Sequence, residues 1–295
     1  MTDTAPTGPN YGIVLPNWIV GPDAEQLVEF AVTAEAAGWD GVLLADHLAF
    51  PHEDYDGPDS MDFHDPWITM AGIATRTDEI TLASWVTPVP RRQPWQLARD
   101  LATLDRLSDG RTLLGTGLGH VPTNYTPFGR TGDERVLGRR YDEALEVIDG
   151  LWSGEPFSYD GEHFTIDEAA MLPTPLQEPR IPVVAGGVWP NEGPIRRGAR
   201  WDGIVPHWPG DGVVPGEGET EPASVARELL GYYHEHADDP GEIMLPLDPP
   251  GRSPEYREVC REHGVTWLYT RDLRGAEYVS NPDRAMERIR EGPGG

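Results

Sequence analysis

The sequence predicts an α/β fold, a (β/α)8 TIM barrel built as a single domain over residues 1–295. Three observations lead there. Short apolar runs alternate with longer amphipathic stretches, eight such units follow one another, and no shift in composition interrupts them. Alternating strand–helix units imply parallel strands joined by right-handed crossovers. Eight of them close naturally into a barrel. A doubly wound open sheet with a small second domain has the same alternation, and periodicity does not separate the two.

The units run in order. YGIVLP (11–16) is a β-rich run, and AEQLVEFAVTAEAAG (24–38) follows with Leu27, Phe30, Ala31 and Ala34 at helical spacing. Asp23 stands where a cap belongs and Gly38 where a helix stops. GVLLAD (41–46) leads to DPWITMAGIATRT (65–77), with Asp65 as cap and Pro66 at the first helical position. ITLASWV (80–86) is the third strand and QPWQLARDLATLDRLSDG (93–110) its helix. RTLLGTG (111–117) is the fourth strand, followed beyond a polar loop by the helix at 135–154. IPVVAGG (181–187) precedes a short helix near 192–200, and WDGIVPH (201–207) is the sixth strand. Helices at 222–236, 253–264 and 282–290 alternate with EIMLPL (242–247) and VTWLYT (265–270). The segment 206–222, rich in Gly, Pro and Glu, reads as an exposed loop.

Composition narrows the function. Fifty acidic residues face 23 basic ones, all of them Arg, for a net charge of -27. Such a surface repels phosphate backbones and anionic headgroups, so neither nucleic acid nor a membrane is an expected partner. The acidity recurs along the chain, as in 217–221 and 238–242, which suggests a halophilic protein whose charge is screened by concentrated salt. No apolar run reaches the length of a spanning helix, and the first residues do not look like a secretory signal, so a cytoplasmic setting is expected. The single cysteine, Cys260, excludes an internal disulfide and a cysteine-based zinc cluster.

In a barrel the chemistry lies at the carboxyl ends of the strands. Asp46-His47 closes the second strand, a pair suited to proton handling or, on the plainer reading, a turn cap beside a structural histidine. Ser84-Trp85-Val86-Thr87-Pro88 closes the third. Trp85 could stack on a flat ligand or fill the top of the barrel. GTGLGH (115–120) and Gly186-Gly187 offer backbone N–H groups to a ring or phosphate, but the first lacks the last glycine of a dinucleotide fingerprint. His47, His52, His64, Asp46 and Asp65 also admit a metal-dependent barrel hydrolase. Against it, Pro16-Asn17-Trp18 stands where an H-x-H pair would open such a site, and no Lys exists to bridge two metals, so no metal is expected.

Four segments together resemble the luciferase-like flavin-dependent oxidoreductases, the bacterial luciferase superfamily: GWDGVLLADHL (38–48), PRRQPWQLARDLATLDRLSDGRTLLGTGLG (90–119), GEPFSYDGEHF (154–164) and IPVVAGGVWPNEGPIRRGARWDGIVP (181–206). The resemblance implies a barrel that binds FMN or the F-420 type deazaflavin coenzyme over its mouth. The Asp46-His47 pair matches deazaflavin-using relatives. It further implies a non-proline cis peptide at Ser84–Trp85, with Val86 and Thr87 along the ring edge. Gly117, Gly119, Thr123 and Asn124 match the fourth-strand cofactor loop, and Gly186 and Gly187 the phosphate loop. His120 departs from the aromatic or acidic residue of many relatives. On this reading His47 is the catalytic proton donor, acceptor or polariser and Asp46 its orienter or a ring contact. Trp18, Trp189, His207 and Trp208 are candidates for the substrate wall or, on the plainer reading, ordinary packing at the mouth. The expected activity is hydride transfer to or from a small organic substrate, or monooxygenation if the cofactor is FMN. A homodimer is in keeping with how relatives often pair. A barrel that binds cofactor without turnover is the non-enzymatic alternative.

Overall fold

Parallel apolar runs buried on both faces build the centre of the molecule, a computed structural model that describes residues 8–17, 23–48, 63–208, 221–247, 253–274, 278 and 281–294. In chain order the strands are β1 (Asn10–Val14), β2 (Gly41–Leu44), β3 (Thr81–Ser84), its two-residue continuation β4 (Thr87–Pro88) and β5 (Thr112–Gly117). A hairpin of β6 (Phe157–Asp160) and β7 (Thr165–Ala169) follows, then β8 (Val183–Val188), β9 (Gly203–His207), β10 (Glu242–Pro246) and β11 (Trp267–Thr270). The parallel sheet runs β3-β2-β1-β11-β10-β9-β8-β5, and β5 pairs back onto β3. That last pairing closes the barrel and excludes the open doubly wound sheet. All eight predicted strands are present.

The helices are α1 (Ala24–Ala36), α2 (Pro66–Ala74), α3 (Pro94–Leu107), the single turn α4 (Val121–Asn124), α5 (Glu134–Trp152), α6 (Glu192–Gly198), α7 (Pro222–His234), α8 (Pro254–Glu262) and α9 (Pro282–Arg290). Their starts follow local chemistry. Asp23 accepts from the Gln26 N–H at 2.8 Å while the Gln26 side chain accepts from the Asp23 N–H at 3.0 Å, a reciprocal cap on α1. Asp65 accepts from the Trp67 and Ile68 N–H groups, and Pro66 occupies the first turn of α2, where no donor is needed. Each such cap contributes about 1 kcal/mol. Gly38 ends α1 at φ +85°, a left-handed conformation that glycine adopts without a Cβ clash.

Strand side chains alternate between two cores. On β2, Val42 and Leu44 face the helices, whereas Leu43 faces the barrel interior with Val14, Ala83, Leu113 and Val184. This double burial is why the strands read as unbroken apolar runs. At the amino end of β5, Arg111 spends its guanidinium on the carbonyls of Ser108, Ile80, Ala74 and Thr77 and on the Thr77 hydroxyl, which fixes the floor of the barrel. Cys260 is 3% exposed, and burial pushes its thiol up to about 12, which disfavours the reactive thiolate. Among the described residues no helix is long and apolar enough to cross a membrane.

Candidate active site at the barrel mouth

The carboxyl ends of β2, β3, β4, β5, β8 and β9 bring most of the expected residues to one end of the barrel. Between β3 and β4 the chain bulges. Ala83 pairs with Leu113 and Thr87 with Thr116, so the third strand spends one residue more than β5 over the same span. A non-proline cis peptide lies in this bulge, but at Trp85–Val86 and not at Ser84–Trp85. The reason is the ladder. The Trp85 N–H still donates to the Leu44 carbonyl at 2.8 Å, so β3 keeps regular pairing with β2 through Trp85, and the irregular bond falls one residue later.

The bulge explains the glycines of β5. A side chain at Gly117 would stand 2.5 Å from Val86 Cγ2, and one at Gly115 would run into the Ser84 carbonyl oxygen. A side chain at Gly119 would meet Pro88 at 2.7 Å, and one at Gly186 would come within 3.1 Å of Val86. A side chain at Gly187 would collide with Pro194. These positions admit the bulge and the start of α6, besides whatever their backbone offers a ligand.

Trp85 points inward, 7% exposed, and meets the rings of His207 at 5.2 Å and Tyr269 at 5.7 Å edge-on. The three rings form an aromatic floor across the top of the interior. Trp189 and Trp208 are buried on the far side, in the core shared by α6, α7 and α8, and Trp189 precedes a cis bond to Pro190. Trp18 and His52 lie outside the described residues. The Thr87 hydroxyl is fully buried with no hydrogen-bond partner among the described residues. An orphaned donor at a strand end suits a polar ring edge docking against it. An unpaired hydroxyl, an aromatic floor and a bulged strand together fit a flat heterocyclic cofactor.

Asp46 is 2% exposed and both its carboxylate oxygens are engaged. Arg91 Nη2 donates to Oδ1, while Arg92 donates to Oδ2 from Nε at 3.0 Å and Nη2 at 2.9 Å. Arg91 Nη1 also donates to the Asp46 carbonyl at 3.2 Å and to Asn124 Oδ1 at 2.6 Å. Asn124 and Thr123 are wholly buried and, apart from the Arg91 contact, spend their side chains inside their own loop. Asn124 Nδ2 donates to the His120 carbonyl and to Thr123 Oγ1, and Thr123 Oγ1 donates to the His120 carbonyl. His120 itself is exposed, with Nδ1 3.3 Å from Thr123 Oγ1. Tyr125 closes the loop by donating to the Leu118 carbonyl at 2.6 Å, and burial raises its phenol. His47, half-buried, follows Asp46 directly. Sequence reasoning missed Arg91, Arg92 and Tyr269. The doubled arginine directly after the third strand end was the available signal.

Among the described residues the hydrolase ligands do not assemble as that reading requires. Asp46 is engaged by two arginines, and Asp65 caps α2 with Arg92 3.6 Å away. Among the described residues, the histidine and carboxylate group that does converge is Glu143, Glu162 and His163, at the β6–β7 hairpin. There Glu143 already accepts from the backbone N–H groups of residues 162–164.

Comparison with known proteins agrees with this architecture. The chain is 34% identical over 183 residues to the F420-dependent hydroxymycolic acid dehydrogenase of Mycobacterium tuberculosis, covering 62% of this chain and 49% of that protein. The chain spans about half the length of the first curated relatives it matches. Among solved structures, the monooxygenase RslO1 from Streptomyces bottropensis superposes with a TM-score of 0.71 at 22% identity, covering 96% of this chain and 98% of that one. The oxygenating constituent of 3,6-diketocamphane monooxygenase from Pseudomonas putida, in complex with FMN, also gives 0.71, at 15% identity over 96% of each chain. A profile of the luciferase-like monooxygenases matches residues 4–213. The chain belongs to the luciferase-like monooxygenase family.

Proposed function

We propose that this chain is a deazaflavin-dependent oxidoreductase that transfers hydride to or from a small organic substrate. The observation that carries the reading is the bulged end of β3 and β4, where the buried Thr87 hydroxyl lacks a partner among the described residues, on the strand neighbouring Asp46-His47. The curated relatives named F420-dependent favour the deazaflavin over FMN. Bound there, the cofactor supplies a two-electron hydride carrier, or a route to oxygen chemistry if it is FMN.

The chain's own residues then have defined tasks. Trp85, Val86 and Thr87 hold the ring from the barrel side, with Ser84 fixing the bulge by donating to the Gly115 carbonyl at 2.7 Å. Gly117, Gly119, Thr123, Asn124, Gly186 and Gly187 shape the loops around it. His47 holds or accepts the proton at a substrate oxygen. Asp46, engaged by Arg91 and Arg92, anchors the strand end from which His47 projects. His207, edge-on to Trp85, walls the substrate, whereas Trp189 and Trp208 are buried in the core of α6, α7 and α8 and support that wall from behind. Residues 1–295 act as one domain, in the cytoplasm and as a homodimer, the last checked by sedimentation.

Fluorescence titration with the deazaflavin and with FMN tests the cofactor, and His47→Ala tests the chemistry. The expected result is tight deazaflavin binding, retained in His47→Ala, with turnover down about 100-fold. Binding of FMN alone redirects the reading to a flavin monooxygenase. Binding with undiminished turnover in His47→Ala removes His47 from the mechanism. A wild-type protein that binds but never turns over is the non-catalytic barrel.

The charge of -27 carries a second part of the proposal, a halophilic protein. At molar salt the screening length falls to about 3 Å, against about 10 Å at 0.1 M, so self-repulsion is quenched. Circular dichroism across a KCl titration is expected to show folding in molar salt and loss of structure in dilute buffer. Full ellipticity without salt would refute it.

A further inference from the structure

We infer that Arg91 is a positioning residue for this site, holding the segment after β2 and the α4 turn after β5 at a fixed separation through one guanidinium. The inference rests on the cofactor reading above. Arg91 sits in the turn directly after β4, and its side chain is 5% exposed. Nη2 donates to the Asp46 carboxylate, while Nη1 donates both to the Asp46 carbonyl at 3.2 Å and to Asn124 Oδ1 at 2.6 Å. Asp46 precedes His47. Asn124 is tied by its own amide to Thr123 and His120. The segments that carry His47, the Trp85–Thr87 bulge and the β5 loop therefore meet at one side chain.

Two features separate this from ordinary fold stabilisation. Burying a cation is expensive, and an apolar residue of similar volume would hold three packed segments at least as well. A planar fork with fixed donor directions sets the spacing of its acceptors, which an apolar side chain does not. The turn itself is held from outside. Arg130 donates to the Arg91 carbonyl at 2.7 Å, and Arg140 donates to the Pro90 carbonyl at 3.0 Å. The backbone on which the fork is mounted is therefore fixed as well.

Arg91→Lys and Asn124→Leu break the bridge from its two ends. Lys keeps the charge beside Asp46 but lacks the fork. Leu leaves the Arg91–Asp46 pair and removes the far acceptor. Deazaflavin affinity is measured by fluorescence, kcat at saturating substrate, and the melting temperature of the cofactor-free chain, all in high salt. Each variant is expected to lose about tenfold or more in kcat, and several-fold in cofactor affinity, because a displacement of about 1 Å at a reacting centre has that effect. The double variant is expected to lose no more than the worse single one, since both changes cut one bridge. If one variant fails to fold, the other carries the test. Affinity and kcat within about twofold of wild type, whatever the melting temperature does, overturn the inference, as does full additivity in the double variant. A wild-type protein that binds neither deazaflavin nor FMN instead overturns the cofactor reading and this inference with it.

Discussion

Asp46→Asn is expected to destabilise the protein by about 3–5 kcal/mol, the range for removing one partner of a buried ion pair. The wild-type carboxylate is 2% exposed and lies between the side chains of Arg91, 5% exposed, and Arg92, 21% exposed. An amide of the same shape keeps the volume. It still accepts one or two hydrogen bonds, but it leaves two guanidinium groups at the mouth with no charge between them. Little water reaches Arg91 to compensate. The effect therefore exceeds that of cutting an exposed pair such as Arg139–Glu162, where both side chains are more than half exposed and the loss is about 0–1 kcal/mol. Denaturant titration of both variants at fixed high salt gives the comparison. Adding Arg91→Met to Asp46→Asn is expected to restore part of the loss, because it removes the stranded charge. An Asp46→Asn protein within about 1 kcal/mol of wild type would mean that the clamp contributes nothing to the folded state.

The clamp also shows what a sequence can and cannot carry. Asp46 and Arg91 are 45 positions apart, and no local pattern links them; only the pairing of β2 with β3 brings the ends of β2 and β4 together. The strands were legible because parallel strands covered on both faces are continuous apolar runs between turn signals. The starts of α1 and α2 were legible because Asp23, Asp65 and Pro66 act within four residues of themselves. The β6–β7 hairpin was not read as strands. It lies outside the barrel, and its residues alternate between half-buried and exposed, so FSYD and TIDEA look like polar loop. The cis bond was placed one residue early because position depends on register. Register is decided by the Trp85 N–H pairing with Leu44, which no property of Ser84 or Trp85 announces. The loop residues Thr123 and Asn124 were picked as cofactor contacts, and the structure engages their side chains within the protein.

Gly115→Ala is expected to be among the most damaging single methyls in the barrel, and Gly138→Ala to be favourable. Gly115 lies on β5 where it passes the end of β3, at the seam that closes the sheet. A Cβ there would overlap the Ser84 carbonyl oxygen, a backbone atom that cannot rotate away. The Ser84 hydroxyl also donates to the Gly115 carbonyl at 2.7 Å, so the two strands are held at this close approach. Relief requires β3 and β5 to separate, which disturbs the bulge and the Thr87–Thr116 pairing above it. The expected cost is about 3 kcal/mol, the upper end for overpacking, with cofactor affinity lost alongside. Gly138 lies inside α5 with open space where its Cβ would go. Alanine there gains about 0.5–1 kcal/mol by restricting the unfolded chain and favouring helix. Melting temperatures of the pair, taken in one salt concentration, should move in opposite directions. A Gly115→Ala protein that melts like wild type and binds cofactor normally would mean that β3 and β5 do not meet at Ser84, and that the barrel closes through a different register.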